Sequence, residues 1–164
     1  LHITGGNGSG KSTLIRILLG LTSPSKGEVV FSKPSLNISY LGHKNAIKQH
    51  LTPLQNLELI FSPSDLGDAM TWMQTFGLTK VQDEMTATLS FGQQKKLALI
   101  RVLGKPSDLI ILDEPFVGLD DLSRDLVSQF LCSRLLDGTG LVLTSHIDPV
   151  IPCVELILAD QTDD

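Results

Sequence analysis

The run Gly5-Gly6-Asn7-Gly8-Ser9-Gly10-Lys11-Ser12-Thr13 has residue types and a spacing suited to a polyphosphate, matching the pattern G-x-x-x-x-G-K-[ST]. Its glycines remove the Cβ atoms that would stop backbone N–H groups from pointing inward, and a following helix aims its positive dipole end at the same place. Lys11 supplies a point charge for the β- and γ-phosphates, and the Ser12 hydroxyl a ligand for Mg²⁺. A glycine-rich turn capping an ordinary helix would use some of the same residues. The context favours the phosphate site, because a short apolar strand, Leu1-His2-Ile3-Thr4, precedes the run and a helix from Lys11 to Leu19 follows it.

A phosphate loop needs a metal partner and a group to activate water. Leu109-Ile110-Ile111-Leu112-Asp113-Glu114 offers both at the carboxyl end of an apolar strand, where ligands of open α/β sheets sit. Asp113 would hold Mg²⁺ directly or through water, and Glu114 would orient or deprotonate the attacking water. A third element, Leu89-Ser90-Phe91-Gly92-Gln93-Gln94, opens a helix where the Ser90 hydroxyl and Gly92 N–H can meet an anion.

Elements that must position these residues follow from patterning. Glu28 to Phe31 and Asn37 to Leu41 read as short strands. Thr52-Pro53-Leu54-Gln55 is a capping box that opens a helix over Asn56 to Phe61. Leu66, Met70, Met73 and Gly77 mark another helix, its methionines and Trp72 read as packing. A third runs from about Gly92 to Leu103, closed by Gly104 and Pro106. Leu109 to Asp113 is too uniformly apolar for a sheet face in water and reads as a buried parallel strand. A helix from Asp120 to Leu136 carries Leu122, Leu126 and Phe130 on one row and Val127, Leu131 and Leu135 on the next. The strand Gly140 to Thr144, a helical turn near Asp148 to Pro152 and a strand Glu155 to Ala159 complete the chain. The order predicts an α/β fold, a mostly parallel sheet with an inserted helical subdomain at about residues 43–104.

The chain of 164 residues suits one domain. Eighteen acidic against 13 basic residues give a net charge of −5 with no basic run, which argues against nucleic acid and anionic lipid as direct partners. Cys132 and Cys153 lack any metal-ligand spacing and read as reduced thiols in a cytosol-like compartment, each a small core residue. No apolar run approaches the roughly 20 residues that span a bilayer, and no signal peptide is visible.

With these three elements in this order, the sequence resembles the ATP-binding cassette (ABC) ATPases, P-loop NTPases, over nearly its whole length, residues 1–164. The resemblance implies that Gly5 to Thr13 is the Walker A loop, Leu109 to Glu114 the Walker B strand, Ser90, Gly92 and Gln93 part of the signature, Gly118-Leu119-Asp120 the D-loop, and His146 the switch histidine that touches the γ-phosphate. It implies ATP and Mg²⁺ as ligands and a head-to-tail homodimer, in which the signature of one chain closes over ATP on the Walker A loop of the other. It also implies strands and an adenine-stacking aromatic before Gly5, which are expected to be missing here. Two positions depart from the family pattern. Phe91 stands where most members have a second signature glycine, and His43 stands where the Q-loop glutamine is usual, so that an imidazole would sense Mg²⁺ and the γ-phosphate less well or respond to pH.

Within the family, Tyr40-Leu41-Gly42-His43, Ala46-Ile47-Lys48 and Leu51-Thr52-Pro53-Leu54-Gln55-Asn56-Leu57 are similar to the haem-exporter ATP-binding subunits of bacterial cytochrome c maturation. That resemblance implies an ATPase on the cytoplasmic face of the cell membrane, held there by an integral permease subunit that docks near the His43 loop. The competing readings are the ATPase of another exporter, a soluble ABC protein of DNA repair or translation, and a regulatory module that binds ATP without much turnover.

Overall fold

The computed structural model describes residues 1–159. Five parallel strands form one sheet in the order β2-β3-β4-β1-β5: β1 His2–Thr4, β2 Ile38–Leu41, β3 Leu109–Asp113, β4 Gly140–Thr144 and β5 Glu155–Ile157. Strand β3 is central to its half and alternates faces as a pleat requires. Ile110 and Leu112 point to one side, into a core shared with helices, while Ile111 points to the other, against Ile3 and Ile15. All four of these β3 and β1 isoleucine and leucine side chains are at most 1% exposed, which accounts for the unbroken apolar run in the sequence.

Helix α1, Lys11–Leu18, covers the face carrying Ile111, and Gly20 at φ 69° turns the chain away from its end. The other face is covered by α2 Pro53–Glu58, α3 Leu66–Thr75, α4 Phe91–Leu103 and α5 Asp121–Leu136. Both α2 and α4 open on capping boxes, Thr52 with Gln55 and Ser90 with Gln93, so their starts are fixed by local hydrogen bonds. Met73 is fully buried, and Trp72 meets Phe130 of α5 edge-on with ring centres 5.2 Å apart, joining the segment between β2 and β3 to the rest of the core.

Four expectations need correction. Residues 28–31 form no strand: neither edge of the sheet pairs with them, and without a ladder Val30 is left 77% exposed. The turn near Asp148 to Pro152 is not helical, since Pro149 and Pro152 push the residues before them out of the α region and Val150 sits at φ 52°. Leu122, placed on the apolar row of α5, is exposed because the helix has only begun there and Ser123 faces inward instead. Cys132 packs against the core, but Cys153 is exposed; both are free thiols.

The parallel arrangement brings the carboxyl ends of β1, β3 and β4 side by side, with Asp113 in register with Thr144 and Thr144 with Ile3. The loops leaving those three strands are residues 5–10, the segment from Glu114 and the segment from Ser145. The glycine loop, Asp113 and Glu114, and His146 therefore meet at the carboxyl end of the sheet.

Candidate functional site

The loop between β1 and α1 is shaped by glycines at positive φ, Gly5 at 148°, Gly8 at 86° and Gly10 at 95°. Gly5 is the most constrained: a Cβ there would fall 2.6 Å from the Ser9 hydroxyl and 2.7 Å from the Leu158 carbonyl. Lys11 Nζ folds back over the loop and donates to the carbonyls of Gly5 at 2.7 Å and Gly6 at 2.8 Å. An ammonium held across the mouth of a glycine loop by two neutral carbonyls can exchange them for phosphate oxygens at a gain in charge pairing. Asn7, Gly8, Gly10, Lys11, Ser12 and Thr13 line an open cleft of about 420 Å³, and His43, Asp113, Glu114, Val117 and His146 complete its wall.

A continuous chain of hydrogen bonds runs through this cleft. Ser12 Oγ donates to Asp113 Oδ2 at 3.0 Å, and Thr144 Oγ1 donates to Asp113 Oδ1 at 2.7 Å. The Glu114 N–H is taken by the Thr144 hydroxyl at 3.0 Å and its carbonyl at 3.2 Å. Glu114 Oε2 accepts from the His146 N–H at 3.3 Å, and His146 Nε2 lies 3.5 Å from Oε1. Two features set Glu114 apart from an ordinary acid after a strand. Its backbone is held at φ 51°, a strained conformation for a side chain of this kind, and its Oε1 is buried without a hydrogen-bond donor.

The donor set can take Mg²⁺. A hydroxyl and a carboxylate oxygen 3.0 Å apart, both on the cleft wall, are the hard oxygen ligands this cation prefers. Among the described residues there is no cluster of three His, Cys, Asp or Glu side chains, so such a cation would draw its remaining ligands from phosphate and water.

The structure does not bring every sequence-predicted residue together. Ser90, Gly92 and Gln93 lie outside the cleft of their own chain. Ser90 Oγ accepts the Gln93 N–H at 3.2 Å and the Ser90 N–H donates to Gln93 Oε1 at 2.9 Å, leaving the Ser90 hydroxyl hydrogen to offer outward. Gly6 and Ser9 shape the loop without lining the cleft, Ser9 being buried beside Gly5. His43 is exposed and reaches the cleft from the loop after β2.

Two residues escaped the sequence reading. Thr144 is fully buried and holds both acids, and a hydroxyl at the carboxyl end of the strand beside them was the available signal. Lys95 of α4 is 3% exposed; burial pushes its amine down from the usual lysine range, and the charges of Asp113 and Glu114 pull it back up. Its spacing from Ala98 and Leu99, both fully buried, placed it on the apolar stripe of α4 in the sequence already.

Residues 1–117 match the model of the ABC transporter family. The cytochrome c biogenesis ATP-binding export protein CcmA of Idiomarina loihiensis is 38% identical over 156 residues, covering 88% of this chain and 72% of the relative. The dimeric structure of MJ0796, a bacterial ABC transporter cassette, superposes with a TM-score of 0.83 at 25% identity over 97% of this chain and 80% of that one. A post-hydrolysis dimer of the same cassette bound to ADP and Pi superposes with a TM-score of 0.75 at 25% identity, covering 89% and 74%.

Proposed function

This chain belongs to the ABC transporter family, and on that premise we propose how its residues carry the family's chemistry and what that chemistry drives. It is the ATP-binding, ATP-hydrolysing subunit of a transporter. The observation that supports the residue roles best is the unbroken hydrogen-bond chain from Ser12 through Asp113, Thr144 and Glu114 to His146, beside Lys11 in one cleft.

Residues 5–13 bind the triphosphate, with Lys11 leaving its two carbonyl partners for phosphate oxygens. Ser12 and Asp113 would hold Mg²⁺, which would supply charge neutralisation at the phosphates. Glu114 positions the attacking water and takes its proton on its carboxylate. The water oxygen bonds to the γ-phosphorus as the bond to the departing ADP oxygen breaks. His146 meets the γ-phosphate, and His43 responds to the filled site from the loop after β2.

Residues 43–104 act as the inserted helical subdomain, and Ser90, Gly92 and Gln93 serve a second copy of the chain. Their place outside their own cleft supports that reading, as does the dimeric state of the MJ0796 cassette. Among the described residues no helix is long and apolar enough to cross a membrane. The ATP-binding subunits that it resembles work from the cytoplasmic face on an integral membrane subunit, and this chain takes the same place; its excess of Asp and Glu, with no basic run, does not suit nucleic acid. The name of the relative supports a role in the export step of c-type cytochrome biogenesis, with haem as the cargo that the resemblance implies.

Glu114→Gln in the full-length chain tests the core of this reading. Retained ATP affinity, a hydrolysis rate lowered by about 10²–10⁴-fold and an ATP-dependent dimer that persists are expected. A variant that hydrolyses at the parent rate removes Glu114 from the mechanism. Isolation from membranes with its bound integral subunit tests the partner, and a subunit without haem in it overturns the cargo.

A further inference from the structure

The segment that follows Glu114 is pinned to the opening of α4 at three points. The ring of Phe91 lies on Gly118, where a Cβ would come within 2.4 Å of Cε1 and 2.5 Å of Cδ1. The Gly118 carbonyl in turn lies against Gly92, 2.7 Å from where a Cβ on that residue would stand, so the two backbones touch. Lys96 Nζ pairs with Asp120 Oδ2 at 2.6 Å, while Asp120 Oδ1 accepts the Ser123 N–H at 2.9 Å and caps α5. The lysine and that cap hold the Asp120 carboxyl well below the usual carboxylate range. Phe91 is 61% exposed, so its ring contributes little to the core. The close contact it does make is with a glycine at φ 83°, a position that tolerates neither a side chain nor an ordinary backbone.

We infer that Phe91 is a positioning residue: seated on Gly118, its ring locks the start of α4, with Ser90 and Gly92, to the loop 117–120 that follows Glu114, so that the two move as one body. The inference rests on the roles given above to Ser90 and Glu114. Contact of a second copy at Ser90 would then reach Glu114 through the ring. A small residue at 91 would leave the Gly118–Gly92 backbone contact and the Lys96–Asp120 pair, whose carboxylate side is 55% exposed and so contributes little.

The test uses the full-length protein with Phe91→Ala, Phe91→Tyr, Gly118→Ala and the double variant Phe91→Ala/Gly118→Ala. Phe91→Ala should lower kcat about threefold or more while KM for ATP stays near the parent value, and Phe91→Tyr should restore kcat, since directly contacting residues couple at this scale. Gly118→Ala should cost less in the Phe91→Ala background, because the collision with the ring is gone and only the backbone strain remains. In the ATP-free protein, amide hydrogen exchange at 117–120 should quicken in Phe91→Ala and return in Phe91→Tyr.

Unchanged exchange overturns the inference, as do additive effects of the two substitutions. Faster exchange with an unaltered kcat in an active parent also overturns it, since the loop would then be loosened without consequence for Glu114. Were Phe91 only a contact for a second copy, dimerisation would weaken while exchange in the ATP-free chain held, which again refutes the lock. A parent without ATPase activity is a failure of the proposed function, and the exchange arm then decides the lock alone.

Discussion

Thr144→Val removes one oxygen from the site and keeps the shape of the side chain. Thr144 is 0% exposed and its hydroxyl does two things, donating to Asp113 Oδ1 at 2.7 Å and accepting the Glu114 N–H at 3.0 Å. The second loss is covered, since the same N–H also reaches the Thr144 carbonyl at 3.2 Å. The first is not covered. Asp113 is 4% exposed, so water has poor access, and its other oxygen is already engaged with Ser12. A hydrogen bond to a charged group contributes about 1.5–3 kcal/mol. Unfolding of the nucleotide-free protein should therefore be easier by about 2 kcal/mol, a fall in Tm of roughly 4–8 °C for a domain of this size.

The same substitution frees Asp113 to turn away from Ser12, so the Mg²⁺ concentration needed for tight ATP binding should rise more than the Mg²⁺-free nucleotide affinity falls. Thr144→Ser, which keeps the hydroxyl, should recover most of both effects. Thermal unfolding and nucleotide titrations with and without Mg²⁺ measure them. A Val variant with the parent's Tm and Mg²⁺ dependence refutes the reasoning, and so does a Ser variant that fails as badly as Val.

Two further outcomes are expected. The Asp120 carboxyl is held low by Lys96 first and by the Ser123 N–H next, so the folded protein binds its proton more weakly than the unfolded chain. That stability is present above the unfolded value of about 3.9 and lost as pH falls through the folded one. Asp120→Asn should thus lower Tm at pH 7 by an amount equivalent to about 1 kcal/mol or less and close the gap to the parent below about pH 4; a gap independent of pH contradicts the pairing. For His43, Gln should keep a substantial share of ATPase activity, whereas Ala should lose stimulation by the membrane partner more than basal turnover, and an Ala variant equal to the parent in both assays makes His43 a plain loop residue.

What could be read from the chain alone follows from how far apart the cooperating residues lie. The phosphate loop, the capping box at Thr52, the helix opening at Ser90 and the buried run Leu109 to Asp113 announce themselves because their hydrogen bonds or their burial are set within a few residues. Residues 28–31 had strand-like composition, but a strand exists only if another strand accepts its N–H and C=O groups, and that partner is a property of the sheet. Thr144 and Lys95 went unread for the same reason: one gains its role from register with Asp113 across the sheet, the other from a helix face turned toward the acids. Phe91 shows the limit most clearly. Its type marks a departure from the family pattern, yet nothing near it in sequence says whether the ring hangs in solvent or bears on something. The answer depends on Gly118, whose missing side chain and positive φ make room for the ring, so an unusual residue at 91 and a required glycine at 118 are one feature expressed at two positions.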